Sequence, residues 1–295
     1  MLLGAVLAAE GAPARFEWRH AAAAALFSAV WTNLHASFWT GPAVAFLYAG
    51  AHWMRPLIWE MDREPEWKRA RCLALAGVCL AAGSLLNPYG WRLHQHITAY
   101  LTDTELLSRV GEFQSFNFHA EGAFQILLTL ALAAAGAAAA LSERRLAQAV
   151  LMAGLAGLAL RSARVLPLAA LVALPLASGS LSRALGKASG LRPRGRDLLA
   201  GALGYSARLR AIDAQAGGAV TSALLVILVL LLTRLPAIAS RFGFPEDQFP
   251  VAASAAVAKL PGDARLLAPD KFGGYLIYRF EGRRKVFFDG RSDFY

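Results

Sequence analysis

Seven uncharged apolar runs govern what this chain can fold into: residues 21–32, 38–53, 72–86, 124–141, 147–160, 165–177 and 219–233. A helix crossing the hydrocarbon core of a bilayer needs about 20 apolar residues, with about 17 as the low end. Several runs fall short of that. They reach it by adding flanking Trp, Tyr or His and arginines that snorkel towards the head groups. A set of buried helices in a large soluble protein is the competing explanation. The runs are too many and too rich in Ala and Leu for it. Charged residues make up 17% of the chain and apolar ones 57%, whereas a soluble domain carries about a quarter charged. The expected fold class is therefore mainly α, a polytopic transmembrane helical bundle of about seven full spans.

The net charge of +10 does not point to nucleic acid. The basic residues sit in connections between apolar runs, not in a stripe with interleaved aromatics. Counted over the connections, Lys and Arg fall on alternate sides, sixteen against four. The rule that basic loops stay inside assigns the sixteen to the cytoplasm of a bacterial inner membrane, and the tail after residue 233 to the outside. One connection decides the parity. Arg161-Ser-Ala-Arg164 is either a tight turn between two helices or the middle of one long span. Arginines at mid-bilayer cost about 2.5–3.5 kcal/mol each on insertion scales, and Pro167 suits the first turn of a new helix. The hairpin is the preferred reading.

Two domains are expected: a transmembrane helical domain over residues 1–238 and an outer-face α/β segment over 239–295. The tail after residue 242 suggests a helix behind Pro250, a turn at Pro261-Gly-Asp, and short strands at 264–268 and 285–288. The stretch from Gly273 to Phe280 suits helix or strand. Met1–Ala9 is apolar but too short to span, and the last strand lacks neighbours. Both ends read as cut, as in a piece of a longer membrane enzyme. Cys72 and Cys79 lie two helical turns apart, about 10 Å along the axis, too far for a disulfide.

Polar residues converge on the outer side. They include Asn33 and His35 after the first full run, and a long loop with His94, His96, Glu112 and His119. Arg161 and Arg164 stand at the hairpin. Asn33 and His35 also suit helix capping. His94-Gln-His96 would share a face only in an extended segment, and with Glu112 or His119 it could hold a divalent metal. Arg161 and Arg164 suit phosphate, for which the guanidinium fork is shaped, or snorkelling to head groups. No nucleotide-binding, zinc-protease or serine-hydrolase motif occurs. No acidic residue lies inside an apolar run, which weakens a proton-coupled transporter reading.

The motifs Trp31-Thr-Asn-Leu-His-Ala-Ser-Phe, Leu86-Asn-Pro-Tyr-Gly-Trp, Glu112-Phe-Gln-Ser-Phe-Asn-Phe, Arg161-Ser-Ala-Arg-Val-Leu-Pro-Leu, Gly273-Gly-Tyr-Leu-Ile-Tyr and Val286-Phe-Phe-Asp-Gly-Arg-Ser-Asp-Phe-Tyr follow one another along nearly the whole chain. In that order they resemble a group of bacterial multi-pass membrane proteins similar to GT-C glycosyltransferases, such as protein O-mannosyltransferases and lipid A aminoarabinose transferases. The resemblance implies transfer of a sugar from a polyprenyl-phosphate donor on the outer face. It makes Arg161 and Arg164 the candidates for the lipid phosphate, with Asn33, His35 and Glu112 lining the catalytic cavity. Such enzymes carry a key acidic residue in the first outer loop, and no position here matches it. The alternatives are a non-catalytic membrane protein (transporter, flippase or assembly subunit) or an inactive fragment.

Overall fold

The computed structural model describes residues 1–13, 15–187, 193–216, 218–235 and 243–289. The chain is mainly helical. Its contacts divide it into two units, Met1–Leu203 and Gly204–Tyr295. The expected boundary at 238/239 lies outside the described residues, as do Arg192 and residues 290–295 of the terminal motif.

Each apolar run falls in a helix whose ends differ from those of the run. The helices are α1 (Leu2–Glu10), α2 (Trp18–Leu34), α3 (Thr40–Trp59), α4 (Arg63–Gly83), α5 (Trp91–Thr102), α6 (Thr104–Arg109), α7 (Ala123–Ser142), α8 (Leu146–Arg161) and α9 (Leu166–Gly186). After them come α10 (Pro193–Ala216), α11 (Gly218–Leu232), α12 (Val251–Ala258) and α13 (Asp270–Arg279). The apolar run at 72–86 lies in a helix that starts nine residues earlier, at Arg63. Asp62 caps that start, accepting from the Glu64 N–H at 3.1 Å, and the helical ladder then runs through charged residues.

In the first unit α2, α4 and α3 pack side by side, and so do α7, α8 and α9. Contacts of α3 with α8, and of α1 with α3 and α9, join the two groups. The seam holds Val44, Tyr48, Leu73, Leu130, Leu151, Leu155 and Val172. A second cluster of small residues, among them Ala133, Ala140, Ala173 and Ala177, surrounds the fully buried Met152. Small side chains let helix backbones approach closely. A Cβ on Gly136 would stand 2.3 Å from the Ala177 Cβ, and one on Gly83 would stand 2.3 Å from the Ala25 carbonyl oxygen. Only glycine fits at these crossings of α7 with α9 and of α4 with α2.

The sequence led us to expect about seven spans. By length and composition, α7 (Ala123–Ser142) and α9 with its leading turn (Ala163–Gly186) are long and apolar enough to cross a membrane. A third qualifies if the bent pair Arg194–Gln215 and Val220–Leu232 counts as one. The reason is physical. Helix α8 has 16 residues, α2 has 17, and α4 spends its first turns on charged residues.

The hairpin is present. Ser162 is extended (φ −142°, ψ 122°), α8 stops before it, and a single 3-10 turn leads into α9 with Pro in its first turn.

In the second unit, α12 and α13 are accompanied by a ring cluster. Phe244, Phe249 and Tyr275 lie within 5.6 Å of one another, centroid to centroid. The ambiguous stretch at 273–280 is helical. The two expected strands reduce, among the described residues, to one parallel bridge between Leu266 and Val286. Beside it the Arg284 guanidinium donates to the carbonyls of Leu260 at 2.7 Å and Pro261 at 2.9 Å, tying that segment to the end of α12.

Candidate functional site

Hydrogen bonds between helix ends gather the polar residues of the first unit at two places, one around Glu10, Arg55 and Gln148 and one around Leu86 and Glu112. The long connection after α4 belongs to one of them, called here the loop end.

At the loop end, residues 112–115 dock on the hairpin between α8 and α9. The Ala163 N–H donates to the Gln114 carbonyl at 2.8 Å. The Ser162 hydroxyl donates to the Glu112 carbonyl at 3.0 Å, and the Ser115 hydroxyl to the Leu160 carbonyl at 2.8 Å. This backbone stitching brings Glu112 to Arg164, and the two form an ion pair. The Arg164 guanidinium also lies 5.1 Å from the centre of the Phe113 ring, within cation–π range. Phe113 meets Tyr100 of α5 edge-on at 6.1 Å. Arg161 closes α8. It is exposed, and among the described residues it has no hydrogen-bond or ion-pair partner. The arrangement therefore offers one carboxylate, one arginine already neutralised by it and one arginine free to take an anion.

The other sequence candidates have different company. Asn33 donates through Nδ2 to the Ala29 and Leu86 carbonyls, both at 2.8 Å. It ties the end of α2 to the turn after α4. His35 ends α2, and its Nδ1 accepts from the Ser37 N–H at 3.0 Å. Both side chains serve backbone groups, and no contact links them to Glu112 or Arg164. The segment carrying His94 and His96 is helical, so these residues two apart point to different sides of α5. His94 stacks on Trp91 at 5.2 Å, meets Phe38 edge-on at 5.0 Å, and shares a 2.8 Å hydrogen bond between Nε2 and the Ser84 hydroxyl. Among the described residues no three His, Cys, Asp or Glu side chains gather as a metal site would require.

The opposite end is a polar network that sequence reasoning passed over. Glu10 at the end of α1 accepts from the Tyr48 hydroxyl at 2.6 Å and from the Gln148 amide at 2.9 Å. Glu66 of α4 accepts from Arg55 Nη1 at 2.8 and 2.9 Å, and lies 2.7 Å from His52 Nδ1. Arg55 also donates to the Arg144 carbonyl at 2.8 Å, beside the end of α7. Glu143 accepts from Arg183 at 2.7 Å and Lys187 at 3.0 Å, and these hydrogen bonds hold its carboxyl below the ordinary carboxylate range. The signal that could have found this network was present: His52 and Gln148 are polar residues inside apolar runs.

Comparison with protein-family models, with curated proteins and with solved structures finds no match.

Proposed function

We propose that this chain is an integral membrane protein of about seven spans, and that its loop end binds a polyprenyl-phosphate-linked sugar and transfers the sugar as a GT-C-like glycosyltransferase. The observation that carries the reading is the docking of the Glu112 loop on the α8–α9 hairpin, which puts a carboxylate and two arginines at one end of an apolar bundle. Membrane embedding draws support from α11. Residues Leu224 to Leu231 are all aliphatic, and each is between 49% and 62% exposed. A helix that is apolar on every side suits lipid and not water. The two ends of the first unit also divide as the basic connections do. Arg55, Arg144, Arg145, Arg183 and Lys187 share the end assigned to the cytoplasm, and the Glu112 loop belongs to the end assigned to the outside, where the tail is expected to add a small α/β segment.

In this reading the acceptor oxygen attacks the anomeric carbon, and the bond from that carbon to the phosphate oxygen breaks. The polyprenyl phosphate leaves with the bonding electrons. The acceptor's hydroxyl proton passes to the Glu112 carboxylate. Arg161, without a hydrogen-bond or ion-pair partner among the described residues, takes the leaving phosphate. Arg164 orients Glu112 and adds positive charge beside it.

A second reading is lipid-phosphate handling without transfer, as in a flippase or assembly subunit. It is favoured by the commitment of Asn33 and His35 to backbone hydrogen bonds.

The test is binding and turnover of a fluorescent polyprenyl-phosphate sugar by the full chain in liposomes. Arg161→Ala is expected to weaken binding about tenfold, the value of one charge-assisted contact. Glu112→Gln is expected to keep binding and abolish transfer. Unchanged donor affinity in both Arg161→Ala and Arg164→Ala would sink the phosphate role. Binding without transfer in the unaltered chain would favour the second reading.

A further inference from the structure

The face of α3 and α4 turned away from the bundle carries a groove of about 510 Å³. Phe46 and Trp53 of α3 and Trp67, Arg71 and Ala74 of α4 line it, and Gly50 leaves its floor low. It is open to the surroundings: Phe46 is 45% exposed and Trp53 54%. Its walls are fixed. The Trp67 indole N–H donates to the Trp53 carbonyl at 3.2 Å, and the Arg63 guanidinium sits 5.8 Å above the Trp67 ring. The groove runs from mid-helix towards the basic end, opposite the Glu112 site.

Charge says what belongs in it. The cations around Arg71 are engaged. Lys68 pairs with Glu64 at 2.5 Å, and Arg69 donates to the Glu10 carbonyl. Arg71 itself is exposed and has no hydrogen-bond or ion-pair partner among the described residues. An unpaired guanidinium at the rim of an apolar trough matches a molecule with an oxyanion joined to a hydrocarbon chain. Two tryptophans beside it match the level of the membrane interface.

We infer that this groove is a binding site for an anionic glycerophospholipid of the cytoplasmic leaflet, with one acyl chain lying between α3 and α4 and the phosphate on Arg71. The inference rests on the membrane embedding argued above, but not on the sugar-transfer chemistry.

The experiment uses the full chain purified in neutral detergent, with phosphatidylglycerol and a diacylglycerol of matched chains as probes. Retained lipid is counted by native mass spectrometry. The unaltered protein is expected to keep one phosphatidylglycerol and to bind it about tenfold more tightly than the diacylglycerol. Arg71→Gln is expected to erase that preference. Gly50→Leu fills the trough from a position where an added Cβ meets nothing within 4 Å, and it is expected to reduce retention of both probes. Thermal unfolding in the same detergent checks that both variants fold.

Equal retention by all three proteins, or no preference for phosphate in the unaltered one, overturns the site. Carbonate extraction of cell membranes separates the two failures. A chain that resists extraction yet fails the lipid test loses only this site, whereas a chain that washes off loses the embedding and the site together.

Discussion

Glu66 and Glu112 each meet an arginine, and what surrounds the two pairs sets their worth. The Glu66 and Arg55 side chains are 15% and 18% exposed, and His52 leans on the same carboxylate. Glu112 and Arg164 are 52% and 49% exposed. Removing one partner of a buried pair strands a charge and costs roughly 3–5 kcal/mol. An exposed pair is worth about 0–1 kcal/mol. Glu66→Gln is therefore expected to lower unfolding stability by about 3 kcal/mol, and Glu112→Gln by less than about 1 kcal/mol. Chemical denaturation in detergent reads both, and a larger loss at Glu112 would make that pair structural. Glu112, Arg161 and Arg164 were legible as candidates because the alternation of basic connections puts the 87–121 connection and the 161–164 turn on one side. The role of Asn33 was not, because it depends on the carbonyl of Leu86, a residue 53 positions away. Nor was Glu10, whose partners Tyr48 and Gln148 stand 38 and 138 positions away.

Helices were the most legible level, since uncharged runs leave the backbone few ways to satisfy its N–H and C=O groups in an apolar setting. What hydropathy misses is where a helix continues into polar sequence. The run at 165–177 belongs to a helix ending at Gly186, where Arg183 reaches Glu143. Periodicity left part of the tail open: Gly273-Gly-Tyr-Leu-Ile-Tyr suits either period, and it is helical within Asp270–Arg279, where the Phe288 carbonyl oxygen lies 1.8 Å from where a Gly273 Cβ would stand. The close crossings carry a prediction at this scale. Gly136→Val puts carbon into the backbone of α9, and Gly83→Val into that of α2, with nothing flexible to yield. Overpacking of this kind costs about 1–3 kcal/mol. Gly154→Val is the control, because an added Cβ there meets nothing within 4 Å. A clear drop in melting temperature is expected for the first two and a small one for the control, and equal drops would mean that helix propensity and not packing is responsible.

At the scale of the whole chain the open quantity is parity, the number of crossings before the tail. The charge count makes residues 178–218 a cytoplasmic connection, yet most of it is helical, as α9's last turns and then α10. A separate crossing by α10 would reverse the tail. Two facts speak against that. Arg208 and Arg210 sit near the middle of α10 (Pro193–Ala216), and a guanidinium at mid-bilayer costs about 2.5–3.5 kcal/mol. Helix α11, with 15 residues, is about 22 Å long against a hydrocarbon core of roughly 30 Å, and α10 meets it at a bend of 82°, so the two cannot both run along the membrane normal. In the proposed topology the pair counts as one span and the tail is expected outside. A reporter active only outside the cytoplasm, fused after Tyr295, is expected to be active, while the same reporter inserted between Glu143 and Arg145 is expected to be silent. Silence at both positions would make α10 a crossing of its own and detach the tail from the loop end while leaving Glu112, Arg161 and Arg164 outside. Activity at Glu143–Arg145 would invert the first unit and remove the outward-facing phosphate site with it.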